Sequence, residues 1–341
     1  MKAAILVKQN KPLVVTQLDI PKELKYGQVL VKVLYSTICG AQINEFLGTK
    51  GPDKFLPHLL GHEGSGIVDE CGPGVTNVKK GDKVVLHWRK GNGIQSETPK
   101  YRSKGKDINA GWVTTFNEYA IVSENRVTTI PDDSDMKTAP LYGCAITTAF
   151  GILQNEAHVK SGESMVIFGV GGVGSALILA SKLISVYPIV AIDIHDSKLK
   201  KAMNFGATHI INSEKDDVSA KIKNMFPNGV DVVVETTGFN SVKELSFELT
   251  APQGKTVFVG VTKAGEKVAI DSTPLHFGKS LVTSYGGSSN PSNDIPRLIN
   301  LQRIGRLNLD GMITQEYPLE KINDAFKYVM NSNGLRCLIK M

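Results

Sequence analysis

The sequence predicts a two-part α/β fold, one part β-rich with short strands and the other a doubly wound parallel sheet. Three observations carry this. Residues 164–285 alternate short β-branched runs with stretches of helical length, the pattern of right-handed βαβ crossovers around a buried parallel sheet. Residues 1–140 instead place short strand candidates between Gly, Pro and Asn turns, which indicates an antiparallel β-domain. The length of 341 residues suits two domains of about 100–200 residues each.

In chain order, the first part offers strands at 2–7, 28–35, 66–71, 83–87 and 119–123. A strand at 164–169 (SMVIFG) opens the second part, followed by a helical run at 175–184, a strand at 189–194 and a helix at 196–205 that ends at Gly206. Strands at 209–211, 231–235, 255–261 and 280–285 continue the series. Two helical stretches, 294–304 and 319–330, and a terminal strand at 335–340 close the chain.

Composition narrows the class. Hydrophobic residues at 41% and charged residues at 21% exclude a disordered chain, and 33 glycines without a G-X-Y period exclude collagen. Four cysteines cannot staple a chain of this length, so they point to a reducing compartment, with the cytoplasm as the default. The apolar stretch before Lys8 is too short for a signal peptide. The longest apolar run, 165–181, falls just under the roughly 20 residues of a membrane span, so no membrane partner is expected. No nucleic-acid recognition motif is present.

Residues 169–174 read Gly-Val-Gly-Gly-Val-Gly, directly after a strand and opening a helix, with Asp193 at the end of the next strand. In such a loop Gly169 makes the tight turn, Gly171 lets the backbone approach a pyrophosphate, and Gly174 lets helix and strand pack closely. Gly172 and Val173 complete the loop at the helix N-terminus. A carboxylate at Asp193 can bind a ribose 2′-hydroxyl and repels a 2′-phosphate, which favours NAD over NADP. A structural glycine turn with Asp193 capping the next helix is the plainer alternative.

A second string, Gly61-His62-Glu63-Gly64, can place an imidazole and a carboxylate at a metal, with Cys39 and Cys144 as thiolate candidates. Two thiolates and one imidazole leave a tetrahedral zinc with an open position for water or a substrate oxygen. A lone buried cysteine is usually an apolar core residue, and a lone histidine a structural hydrogen-bonder. The spacings alone leave these readings open.

The strings GHEGSGIV (61–68), GDKVV (81–85), TFNEYAIV (115–122), GCAITTAFG (143–151) and the glycine loop, with a cysteine at 39, run in one order. In that order, and over nearly the whole chain, the sequence resembles the zinc-dependent medium-chain alcohol dehydrogenases. The resemblance implies a GroES-like catalytic domain at 1–145 and 285–341, a Rossmann NAD-binding domain inserted at 146–284, and a cleft between them. It implies that Cys39, His62 and Cys144 bind the catalytic zinc with Glu63 behind the metal, and that Thr148 lies beside the nicotinamide. It assigns Asp193 and Lys198 to the adenosine ribose, Arg336 to the pyrophosphate, and Trp88 to the substrate pocket. The implied reaction is NAD-linked interconversion of an alcohol and its carbonyl by a homodimer or homotetramer.

Three departures stand out. Residues 89–111, where relatives carry four structural-zinc cysteines, contain none, so one catalytic zinc and no structural zinc is expected. Ala41 and Asn44 occupy positions of the usual proton relay and cannot titrate. Gln42 replaces the aspartate that usually orients the zinc-bound histidine. Glu63, His87, groups of the substrate or a water chain are the replacements for the relay.

Charge is placed unevenly. Residues 146–284 hold 13 basic and 13 acidic side chains, so the net +6 belongs to the rest of the chain. Residues 89–106 set six basic residues against Glu97, a rim that suits a polyol, sugar or anionic sugar derivative, or else a solvated loop. The rival functions are a metal-independent NADPH-linked reductase of the same superfamily and a non-catalytic NAD-binding protein.

Overall fold

Val29, Val31 and Val33 fall on alternate positions of the strand Gln28–Ile38, and all three are buried in one cluster with Val68, Val84 and Leu86. This period of two marks a half-buried antiparallel strand. The computed structural model describes residues 1–331 and 334–341. The described chain folds as two units: Met1–Thr147 with Asn290–Gly305 and Met312–Met341, and Thr148–Ser289 with Arg306–Gly311.

The first unit is built on two sheets. One runs Val14–Gln17, Lys2–Leu6, His58–Leu59, Lys106–Asn109 and Lys100–Ser103. The other runs Val127–Thr129, Lys83–His87, Glu63–Cys71, Gln28–Ile38, Arg336–Lys340 and Ile313–Pro318, with Tyr119–Ser123 also paired to Gln28–Ile38. The cysteine-free stretch 89–111 is held by a hairpin that the sequence pattern did not announce. Its turn, Lys104 and Gly105, has positive φ at both residues (49° and 77°), the twist that two-residue hairpins require. Tyr101 anchors the hairpin: it is fully buried, and its hydroxyl accepts the Ile121 N–H at 2.8 Å.

The second unit carries a wholly parallel sheet, ordered His209–Asn212, Ile189–Asp193, Met165–Phe168, Val230–Glu235, Thr250–Phe258, Ser280–Thr283. Order reverses at Met165–Phe168, the switch point where doubly wound folds bind ligands. All four residues of that strand are buried, as expected when helices cover both faces.

Boundaries move for local reasons. The helix expected at 294–304 begins at Pro291, whose fixed φ suits a first turn. A helix at Val218–Met225, absent from the sequence reading, is capped by Asp217, whose carboxylate accepts the Ala220 N–H at 2.9 Å. No helix among the described residues is long and apolar enough to cross a membrane.

Candidate functional site

In the first unit, Cys39 follows the strand Gln28–Ile38 and caps the helix Gly40–Leu47. His62 precedes the strand Glu63–Cys71, placed there by Gly61, whose φ of 92° and approach to Thr115 leave no room for a Cβ. Cys144 lies between the turn Ala139–Gly143 and the helix Ala145–Gly151. Tertiary structure brings the three together: one ligand atom from each lies within 4.8 Å of the other two. A tetrahedral zinc with Zn–S of about 2.3 Å and Zn–N of about 2.0 Å has ligand edges of about 3.5–3.8 Å, so the set fits such an ion. The Nε2 atom of His62 is buried with no hydrogen-bond partner, as a waiting ligand atom would be.

The electrostatics agree with a cation site. A hydrogen bond from Cys144 holds the Cys39 thiol well below the ordinary thiol range, helped by Arg336 and His62. The same bond, with burial, pushes Cys144 well above it, so the pair shares one proton that a metal would displace. Burial works against charge on His62, but Cys39 and Glu63 raise its pKa.

Glu63 does not join the ligand set. Its Oε1 accepts the Thr37 hydroxyl at 2.5 Å and pairs with Arg336 Nη1 at 3.3 Å, while its Oε2 is buried without a partner. Arg336 is buried here beside Glu63, donates to the Ile38 carbonyl, and keeps Nε and Nη2 without partners. Gln42 accepts the Cys39 N–H at 3.0 Å and turns its Nε2 to His62 Nδ1. The Trp88 ring lies 6.3 Å from the His62 ring, centroid to centroid, with the Arg89 guanidinium 5.7 Å from the Trp88 ring.

His87 is not a relay. It is fully buried, with Nδ1 on the Arg89 carbonyl at 2.8 Å and Nε2 on the Thr128 hydroxyl at 2.9 Å. Burial lowers its pKa from 6.5 to about 4, so the ring stays neutral at neutral pH. The unfolded chain therefore binds this proton first, and stability is lost as pH falls from 6.5 towards 4, on the order of 3 kcal/mol in all. In His87→Gln, denaturant unfolding should show a flatter loss of stability across that window. The pH–rate profile should stay unchanged.

In the second unit the glycine loop leads from Met165–Phe168 into the helix Gly172–Leu183. Three of its four glycines differ in what surrounds them. Gly169 has φ of 90° and packs on Thr236. A Cβ on Gly174 would lie 1.8 Å from the Gly169 carbonyl oxygen, so helix and strand touch there. A Cβ on Gly171 would meet nothing within 4 Å, an open cradle beside the helix N-terminus. Gly172 and Val173 form the first turn. Asp193 ends its strand and accepts the Val170 N–H at 2.7 Å and the His195 N–H at 3.0 Å. Lys198 is partly exposed on the helix Asp196–Phe205, and Thr148 is buried in Ala145–Gly151.

Two supporting residues escaped the sequence reading. Thr37 holds Glu63, and Glu235, fully buried, gathers the Thr237 hydroxyl at 2.5 Å and the Gly238 N–H at 2.7 Å below the glycine loop. Glu235 is a polar residue at the end of a strand rich in valine, a signal that could have marked it, whereas Thr37 lies inside Gln28–Ile38 with no such signal.

Residues 25–132 match the alcohol dehydrogenase GroES-like domain family, and residues 172–303 match the zinc-binding dehydrogenase family. The chain is 30% identical to alcohol dehydrogenase-like 2 of Arabidopsis thaliana, covering 100% of this chain and 96% of that one. It is 29% identical to alcohol dehydrogenase class-2 isozyme 2 of Oryctolagus cuniculus, covering 99% and 97%. Among solved structures, benzyl alcohol dehydrogenase of Acinetobacter calcoaceticus superposes with a TM-score of 0.91 at 29% identity, covering 100% and 99%.

Proposed function

The chain belongs to the zinc-dependent medium-chain alcohol dehydrogenases, enzymes that interconvert alcohols and carbonyls, and we propose that it does so with NAD and a single catalytic zinc held by Cys39, His62 and Cys144. The observation that carries this reading is the convergence of those three ligand atoms with an unpartnered His62 Nε2. Cys39, His62 and Cys144 would hold a zinc that supplies Lewis-acid polarisation of a substrate oxygen, and the glycine loop with Asp193 would hold the NAD that supplies the hydride acceptor or donor.

The chain's own residues do the positioning. Behind the ligands, Arg336 pairs with the buried Glu63 and the Thr37 hydroxyl donates to it. Asp193 offers its carboxylate to a ribose 2′-hydroxyl, and Gly171 leaves the pyrophosphate room. Neutral His62 can ligate through Nε2 only with its proton on Nδ1, where Gln42 now presents an amide N–H. In Gln42→Glu, one carboxylate can accept both Cys39 N–H and His62 Nδ1–H. Zinc affinity, measured by competition with a chelator, should therefore rise by about tenfold or more.

The proposed substrate is a polyol, sugar or anionic sugar derivative, a choice supported by Arg89 beside Trp88 and by the basic residues of 89–106. A dimer through the edge strand Ser280–Thr283 and a cytoplasmic setting for four free thiols complete the reading. The test is turnover of polyols, sugar phosphates, nucleotide-linked sugars and simple alcohols with NAD and NADP. Reduced nicotinamide should form with NAD, stop on chelation and return with zinc. Turnover indifferent to chelation would support the metal-independent rival, and cofactor binding without turnover on the whole panel would defeat the reading.

A further inference from the structure

A second group of ligand atoms converges in the first unit, apart from the cysteines: one oxygen each of Glu45 and Asp53 and a ring nitrogen of His58, all within 4.8 Å of one another. Glu45 lies on the helix Gly40–Leu47, His58 opens the strand His58–Leu59, and Asp53 sits on the loop between. His58 is only 6% exposed. Its Nδ1 lies 2.8 Å from the Leu59 carbonyl, which can only accept, so Nδ1 carries a proton.

The Nε2 atom then faces two carboxylates, Asp53 Oδ2 at 2.7 Å and Glu45 Oε1 at 3.8 Å. The Nε2 proton is donated to Asp53 and leaves Glu45 Oε1 beyond hydrogen-bond distance. A proton on Nε2 serves one carboxylate, whereas a divalent ion serves all three atoms and matches the two negative charges. A histidine whose other nitrogen donates to a backbone carbonyl is also the arrangement that orients metal-bound imidazoles.

We propose that Glu45, Asp53 and His58 form a second, structural site for a divalent ion of zinc type. A tetrahedral site with N and O ligands at about 2.0–2.1 Å has edges of about 3.3 Å. The observed separations of 2.7 and 3.8 Å bracket that edge, so shifts of about 0.6 Å admit the ion. The Phe55 N–H holds Asp53 Oδ1 at 2.8 Å, fixing the carboxylate. Glu45 and Asp53 line an open cavity of about 280 Å³, which gives the ion an entry path and room for water. The ion ties the helix that follows Cys39 and carries Gln42 to the strand that leads into His62. It therefore braces two of the three catalytic-centre candidates through their backbone.

Metal-stripped, full-length protein titrated with Co²⁺ tests this, read by cobalt retained after gel filtration and by thiolate-to-cobalt absorption. The wild type should retain two ions, one of them giving the thiolate band. His58→Gln should retain one and keep the band. Glu45→Gln, at a partly exposed side chain that the fold can spare, should weaken the second ion by at least about tenfold, as loss of a direct ligand costs no less than loss of a partner behind one. One cobalt with the thiolate band in the wild type, or a second ion unmoved by both substitutions, overturns the site and leaves a buried histidine–carboxylate hydrogen bond. A single cobalt without the band that His58→Gln removes keeps this site and counts against the cysteine centre instead.

Discussion

Cys144→Ser is expected to lower kcat/KM by about 10³-fold or more and to remove the zinc with it. Two thiolates and one imidazole are the minimal protein set for a catalytic zinc, and a serine hydroxyl stays protonated at neutral pH, so it is a poor replacement ligand. Loss of Lewis-acid polarisation is worth several kcal/mol, and about 4 kcal/mol corresponds to the 10³-fold drop. Cys144 is 7% exposed, and serine nearly matches its volume, so the fold should survive. Zinc per chain and kcat/KM should fall together while NAD affinity holds. Retained zinc with normal kinetics would remove Cys144 from the mechanism.

Gly171→Ala is the second large effect, and it separates folding from cofactor binding. Gly171 caps its helix at φ −86° and ψ −165°, a conformation alanine adopts freely, and the added Cβ meets no atom within 4 Å. Thermal stability should therefore change by no more than about 0.5 kcal/mol. If the open space is the pyrophosphate cradle, the methyl group fills it and breaks charged hydrogen bonds worth about 1.5–3 kcal/mol each. NAD affinity should fall by about 100-fold or more, which is about 2.8 kcal/mol. Gly174→Ala should behave oppositely, since its Cβ would stand 1.8 Å from a backbone oxygen and must push helix from strand. A melting curve and an NAD titration on both variants distinguish the two roles. Unchanged NAD affinity in Gly171→Ala would empty the cradle of its meaning.

What the sequence made legible was what depends on near neighbours. The glycine loop could be read because its steric demands act within six residues, and Asp193 because one βα unit separates it from the loop. Cys39, His62 and Cys144 are spread over 105 positions, and only strand pairing across the first unit brings them together. Their spacing could not show this, and the family resemblance supplied it. Orientation lay beyond either. Nothing local says that Glu63 turns to Thr37 and Arg336, or that His87 spends both nitrogens on Arg89 and Thr128. The hairpin of 100–109 was hidden because Lys104, at positive φ, is not a residue that advertises such a turn.

The central claim is a zinc held by two sulfurs and one imidazole, and zinc-edge X-ray absorption on protein purified without added metal tests it most directly. Sulfur scatterers at about 2.3 Å, alongside nitrogen or oxygen at about 2.0 Å, are the predicted result, with the sulfur signal reduced in Cys144→Ser. Absence of zinc, or a spectrum of nitrogen and oxygen scatterers alone, would contradict it.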